Sequence, residues 1–223
     1  MNIENLINRF PPADIERASY LWRDLELINN ATRPQTLLDM GTGSGSMSAV
    51  VALKFPGISG RLVDVDARLE HLDLIPEENR VNLEFELWPC EEKLQGMVFD
   101  LVMSMDVLEH IPDWRTAIEA LKNYVADDGL LYIQTPSNYP SPNWPTLSVF
   151  INRFKGIFDR HNPASHVRHG LSCKSIVDAV GNDFEPLVAS ESYVVGGKSH
   201  CSFKPRTHLL LRRKCPQTHE IDR

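Results

Sequence analysis

A carboxylate followed by three glycines at alternate positions, Asp39-Met40-Gly41-Thr42-Gly43-Ser44-Gly45, is the first run in this 223-residue chain whose types and spacing could do chemistry. Glycine permits positive φ and lets a flat ligand approach the backbone with no Cβ in the way. A pyrophosphate-binding GxGxxG run would need glycine at position 46, where Ser46 stands. A carboxylate two residues before the first glycine would also repel a pyrophosphate, whereas it would attract a ligand carrying ammonium and sulfonium charge. Asp66 lies 21 residues beyond Gly45, about where an acidic side chain takes both hydroxyls of a ribose in nucleoside-binding folds. Asp64 competes for that role and shares a strand face with it; Asp66 is preferred because it is nearer the strand's carboxyl end.

A second group of reactive types is Asp106-Val107-Leu108-Glu109-His110. His110 is the best single candidate for a general base, with Asp106 and Glu109 beside it. The plainer alternative is that Glu109 and His110 cap local structure and shape a pocket. His161, His166 and His169, interleaved with Arg160 and Arg168, form a third group. Of these, His166 and His169 could supply a base or an anion-binding edge, or belong to a solvated loop. Phe150, Phe154 and Phe158 recur at helical spacing and are read as packing residues with a partial covering role.

The elements that must position these groups follow from periodicity. Residues 13–30 place Ile15, Ala18, Leu21, Trp22, Leu25 and Ile28 at three- and four-residue steps, the pattern of an amphipathic helix. Residues 36–40 read as a buried strand, and residues 46–55 as a helix ended before Pro56, so the glycines occupy a strand-to-helix turn. Further strands are expected at 60–65, 81–87, 99–103 and 130–134, with a helical stretch at 68–74 and a helix at 113–125 capped by Asp113. Asp127-Asp128-Gly129 reads as a turn. After a Pro-, Asn- and aromatic-rich stretch come a helix at 172–180 and strands at 188–195 and 207–212. Alternating strands and helices predict an α/β doubly wound, mostly parallel sheet, and the final strand pair predicts an antiparallel edge hairpin.

Composition narrows the function classes. Hydrophobic residues at 42% and charged residues at 24% exclude collagen-like and wholly disordered chains. No stretch approaches the ~18 consecutive apolar residues of a membrane helix, and MNIENLINRF lacks a basic n-region, so a cytoplasmic protein that does not engage a membrane is expected. Cys90, Cys173, Cys201 and Cys215 lie far apart, which suits reduced thiols and assigns no metal. The net charge of −7 disfavours a broad nucleic acid interface. Residues 1–135 carry a balance of −12 and residues 136–223 one of +5, so the first part suits a cationic ligand and the second an anionic one. One domain spanning 1–213 is expected, with a helical lid at 1–32, an active-site insertion at 136–169 and a tail at 214–223.

Taken together, LLDMGTGSGS, LVDVD, FDLVMSMDVLEHIPDW and LKNYVADDGLLYIQTP resemble the class I S-adenosylmethionine-dependent methyltransferases, over roughly residues 35–137. The SHVRHG segment is similar to a stretch in small-molecule members, including ubiquinone-pathway O-methyltransferases. The resemblance implies a Rossmann-like seven-stranded sheet and S-adenosylmethionine as cofactor. It also implies that Asp39, Gly41, Thr42, Gly43 and Gly45 hold the methionine part and that Asp66 and Ala67 meet the ribose. Ser104 and Met105 would wall the methionine, with Asp106 next to them. The family's usual carboxylate at position 89 is replaced by Pro89, and Glu91 is the substitute. Ubiquinone-pathway relatives carry Glu-x-x-Glu-His as a metal site; here Asp106 stands first and no metal is assigned. The Asp/Asn-Pro-Pro-aromatic motif of nucleic acid amino-methylating enzymes is replaced by Ser104-Met105-Asp106-Val107. The expected activity is therefore methyl transfer to a small, anionic molecule, oxygen ahead of nitrogen, by a monomer or homodimer. Two alternatives stay open: non-methylating chemistry that releases methylthioadenosine, and a non-catalytic S-adenosylmethionine-binding protein.

Overall fold

Neighbouring leucines of the first strand, β1 (Thr36–Met40), part to opposite faces of the sheet: Leu37 joins one buried cluster and Leu38 the other. The computed structural model describes residues 2–66, 68–137, 170–192 and 206–215. Helix α1 (Ile3–Ile7) and the long α2 (Pro12–Ala31) precede β1. Pro12 opens α2 where its missing N–H has no intrahelical partner to lose. The α2 stripe of Ala18, Leu21, Leu25 and Ile28 is fully buried against the first cluster.

The chain then alternates through α3 (Ser46–Lys54), β2 (Ser59–Asp64), α4 (Glu77–Arg80), β3 (Leu83–Leu87), α5 (Glu91–Leu94) and β4 (Phe99–Met105). It continues with α6 (Trp114–Asn123), β5 (Val125–Pro136), α7 (Cys173–Val180), β6 (Phe184–Ser192) and β7 (Arg206–Arg213). The seven strands lie in the order β3-β2-β1-β4-β5-β7-β6. Strands β1 to β5 pair in parallel, and β7 runs antiparallel to both β5 and β6. The last strand of the chain thus inserts inside its predecessor, and the predicted edge hairpin carries β6 at the rim. Strand order reverses at β1 and β4, the crevice where sheets of this kind bind nucleosides.

Helices α1 to α3 cover one face; α6 and α7 cover the other, where Ile118, Leu121, Ile176 and Val180 meet Val102, Leu131 and Ile133. Asp113 caps α6, accepting from the Thr116 N–H at 3.3 Å, and Ser172 caps α7, accepting from the Ser175 N–H at 3.1 Å.

Several boundaries differ from the sequence reading. The turn expected at Asp127-Asp128-Gly129 lies within β5. There the register with β4 jumps from Phe99↔Val125 to Leu101↔Leu130, and Asp128 takes φ 58°. The helical stretch expected at 68–74 is only a 3₁₀ turn at Leu72–Leu74. Strand β6 starts four residues early and runs through Pro186, which an edge strand tolerates at the register shift between Pro186 and Val188. Residues 138–169, most of the expected insertion, lie outside the described residues, as do 193–205. Cys90, Cys173 and Cys215 are free thiols. Among the described residues no helix is long and apolar enough to cross a membrane.

Candidate functional site

The glycine loop leaves β1 and is tied to the sheet before α3 begins. The Gly41 and Thr42 N–H groups both donate to the Val63 carbonyl, at 2.7 and 3.0 Å. Gly41 (φ 86°) and Gly45 (φ 78°) serve packing: a Cβ at Gly41 would sit 2.1 Å from Val107 Cγ2, and one at Gly45 2.9 Å from Leu72 Cγ. Gly43 (φ 54°) is different, because a Cβ there would meet nothing within 4 Å. Only at the middle glycine does the loop face open space.

Beside it lies a cleft of about 310 Å³. Five carboxylates line it, from Asp14, Asp39, Asp64, Asp66 and Glu70, against the cations Arg17 and Arg68. Asp39 is 2% exposed and accepts from the Ser48 hydroxyl. Burial, reinforced by nearby Asp64, pushes its carboxyl up to about 6, against the restraining hydrogen bonds of Ser48 and Thr42. Asp64 organises the loop: Oδ2 accepts from the Gly43 N–H at 2.7 Å, and Oδ1 from the Val65 N–H at 2.7 Å. Asp66 is more exposed and pairs with Arg68 at 2.8 Å. The two acids that the sequence left in competition both line the cleft but have different partners: Asp64 is held by backbone N–H groups, and Asp66 by the exposed Arg68 side chain.

The amino-terminal helix supplies a wall. Asp14 accepts from the Ser46 hydroxyl at 2.5 Å and the Ser44 hydroxyl at 3.3 Å, and pairs with Arg17 at 2.5 Å. His71 Nδ1 lies 2.6 Å from Ser46 Oγ, 2.9 Å from Ser44 Oγ and 3.7 Å from Asp14. Arg17 also reaches Asp106 at 3.3 Å, and Asp106 is shared with Arg206 of β7 at 2.5 Å. Arg206 lies 3.4 Å from Glu16. Burial alone would lower its guanidinium, but Asp106 and Glu16 hold it above its ordinary value. This chain of charges ties α2 to the carboxyl end of β4 and the amino end of the antiparallel β7.

A family model described as a methyltransferase domain matches residues 6–173. The chain belongs to that family. It is 28% identical over 153 residues to a trans-aconitate 2-methyltransferase of Deinococcus radiodurans, covering 67% of this chain and 56% of the relative. It is 30% identical over 133 residues to a ubiquinone biosynthesis O-methyltransferase of Pseudomonas syringae pv. tomato, covering 58% and 55%. The aligned part thus spans about half the length of these relatives. In fold it matches the magnesium protoporphyrin IX methyltransferase of Synechocystis, whose structure holds S-adenosylhomocysteine, with TM-score 0.60 and 16% identity over 91% of this chain and 84% of that one. The N-methyltransferase NodS of Bradyrhizobium japonicum, also with S-adenosylhomocysteine, gives TM-score 0.58 and 15% identity over 89% and 86%.

In this methyltransferase-domain chain, the cleft brings together Asp39, Gly41, Thr42, Gly43, Asp66 and Met105 of the residues singled out from sequence. Others lie elsewhere among the described residues. Gly45 begins α3 behind the lining, and Glu91 is exposed at the start of α5. Ser104 alternates to the face opposite Met105 and is buried, its hydroxyl without a hydrogen-bond partner among the described residues. Asp106 joins the arginine network. Glu109 is fully buried and accepts from the Thr135 hydroxyl at 3.0 Å; burial first, and Asp106 second, push its carboxyl up to about 7. His110 is partly exposed, its Nε2 3.9 Å from Glu109 Oε1. Ala67, His166 and His169 lie outside the described residues. The sequence reading passed over Asp14, Arg17 and His71. A signal was present for Asp14, which heads the stripe Ala18, Leu21, Leu25, Ile28 where an apolar residue would be expected.

Proposed function

We propose that the cleft binds S-adenosylmethionine and that the chain transfers its methyl group to a small acceptor, oxygen ahead of nitrogen, bearing a carboxylate or phosphate. The observation that carries this reading is the charge of the cleft, five carboxylates against two arginines around a loop open at Gly43. Asp39 tests the fit: a carboxylate buried at a cost to its ionisation is relieved by a cationic ligand, whereas a pyrophosphate would worsen it. Bound S-adenosylmethionine would supply an electrophilic methyl group on a positively charged sulfur.

The chain's own groups do the rest. Asp39 and the Gly41-Thr42-Gly43 turn orient the amino acid end, Asp66 accepts from the ribose hydroxyls, and Met105 forms an apolar wall. Arg17, held between Asp14 and Asp106, takes the carboxylate of the amino acid end. His110 receives the proton that an acceptor hydroxyl must lose, with buried Glu109 behind it. Residues 1–32 of the 1–213 unit close the site from one side, through Asp14 and Arg17 of α2, whereas nearly all of the expected insertion at 136–169 lies outside the described residues. The +5 balance of residues 136–223 and the trans-aconitate relative support an anionic acceptor; the O-methyltransferase relatives support oxygen.

Calorimetry with S-adenosylmethionine, followed by mass spectrometry after incubation with hydroxy acids, tests the reading. Saturable binding and S-adenosylhomocysteine as product are expected. Methylthioadenosine as product would overturn methyl donation, and an absence of binding would overturn the cofactor.

A further inference from the structure

The rim of the sheet beyond the cleft reads the same in both directions. Strand β3 is Leu83-Glu84-Phe85-Glu86-Leu87, a palindrome about Phe85, and it ends the sheet with β2 as its neighbour. The ladder to β2 opens with the Gly60 N–H on the Asn82 carbonyl at 3.0 Å and closes with the Trp88 N–H on the Asp64 carbonyl at 2.8 Å. Peptide groups alternate sides along a strand, so Glu84 and Glu86 between these ends also spend theirs on β2. The N–H and C=O groups of Leu83, Phe85 and Leu87 point the other way, where no strand of the described residues pairs with them.

The side chains on this rim are apolar where water would favour polar ones. Val81 is 66% exposed, Leu87 55% and Trp88 37%. Strand β3 carries neither the lysine nor the proline that commonly keep a free edge from pairing. Leu83, Phe85 and Leu87 alternate to one face, where Leu83 and Phe85 pack partly against the cluster beneath α1 to α3. On that face a groove of about 510 Å³ runs beside the edge, with Leu69, Leu72, Val81 and Leu83 as its apolar lining and the carboxylates of Glu70 and Glu77 among its polar groups. Glu84 and Glu86 lie on the other face. There Arg61 pairs with both, at 3.8 Å to Glu86, and Lys93 pairs with Glu86.

We propose that β3 pairs antiparallel with β3 of a second copy of this chain, about a two-fold axis at Phe85, so that the two sheets become one. The palindrome sets the register: Leu83 opposes Leu87 of the other copy, Glu84 opposes Glu86, and Phe85 opposes its own counterpart. In that register the outward groups of Leu83, Phe85 and Leu87 all face one another, and each opposed pair of these residues exchanges both of its N–H···O bonds. Opposed residues share a face, so Leu87 of each copy lies against Leu83 of the other and fills the groove that Leu83 lines. The two-fold axis makes this contact twice, which closes the assembly at a dimer. Charge selects a second copy over other occupants. On the acidic face each copy brings Arg61 and Lys93 with its own Glu84 and Glu86, so the acids meet already neutralised. A basic segment would find those two glutamates engaged, and an acidic one would be repelled by Glu70 and Glu77.

Sedimentation equilibrium of the full chain over a range of concentrations tests the pairing, and a mass of twice 25.3 kDa is expected at the upper end. Leu87→Glu sets a carboxylate against Glu70 and Glu77 of the other copy and should weaken the dimer by roughly tenfold or more. Leu27→Glu, at an exposed leucine of α2, should leave the dimer unchanged. In the wild type, amide exchange at Leu83, Phe85 and Leu87 should slow as concentration rises while Glu84 and Glu86, already bonded to β2, stay as they are, a readout that survives if the Leu87 variant does not fold. A monomer at every concentration, a dimer indifferent to Leu87→Glu, or a dimer in which those three amides exchange as in the monomer overturns the edge pairing. None of these measurements involves S-adenosylmethionine, so the methyl-transfer reading stands or falls separately.

Discussion

The two sides of the crevice are built in opposite ways. On the β1 and β2 side, Asp64 accepts from the Gly43 N–H of the glycine loop, Asp39 and Asp14 accept from serine hydroxyls beside it, and the loop opens to solvent at Gly43. On the β4, β5 and β7 side, Glu109, Gln134 and His208 are buried and hold polar atoms without partners among the described residues; Glu109 comes from the 3₁₀ turn after β4, and strand pairing sets Gln134 beside His208. The first side is a ready cradle for one charged ligand. The second keeps unused hydrogen-bonding capacity in a closed interior, where each unpaired polar atom is costly.

The largest expected break in this comparison separates two glycines of one loop. Gly41→Ala should cost about 3 kcal/mol or more in chemical denaturation, because positive φ and a 2.1 Å approach to Val107 act together. Gly43→Ala should cost only about 1 kcal/mol, its penalty being φ alone, while weakening S-adenosylmethionine. Equal losses of stability would erase the distinction between packing and ligand-facing glycines.

Asp39→Asn should weaken S-adenosylmethionine by about 2 kcal/mol in calorimetry, since a charge-assisted contact is lost without a change of shape. Asp66→Ala should weaken it by ~1–3 kcal/mol through the ribose hydroxyls. An unchanged affinity in either variant removes that residue from the cofactor site. The Asp39 carboxyl stands at about 6, and a cation favours its ionised form, so affinity should fall as pH drops through that value. Proton release on binding near pH 6, measured in buffers of different ionisation enthalpy, checks the sign.

On the buried side the dependence concerns stability. Glu109 is raised from 4.5 to about 7, so its charged form is disfavoured in the fold. That penalty is absent below about pH 4.5, grows as pH climbs toward 7, and then levels off. Glu109→Gln should therefore raise Tm relative to wild type at about pH 8 and lose that advantage by about pH 5; a gain independent of pH would rule out the buried charge as its cause. The smallest effect belongs to Arg68→Ala. Its pair with Asp66 is well exposed, and the stability change should stay within about 0.5 kcal/mol.

The cofactor side was legible because its information is local. Asp39, Gly41, Thr42 and Gly43 lie within five consecutive positions, and Asp66 follows one helix and one strand later. Helix α2 was legible as an element, from its apolar stripe, but not as a wall. That Asp14 meets Ser44 and Ser46, and Arg17 meets Asp106, depends on where α2 lands on the sheet. His208 was read only as part of a terminal strand, for its partner Asp24 lies 184 residues away.

Amino acid order by itself determined the alternating elements, the strand-to-helix turn with its acid, and the family to which the chain belongs, because short-range periodicity and glycine chemistry act over a few residues. Tertiary structure alone decided that β7 inserts between β5 and β6, and so sets His208 beside Gln134 and Arg206 against Asp106. Strand order is chosen by which faces can be buried together, a property of the whole sheet that no local window contains.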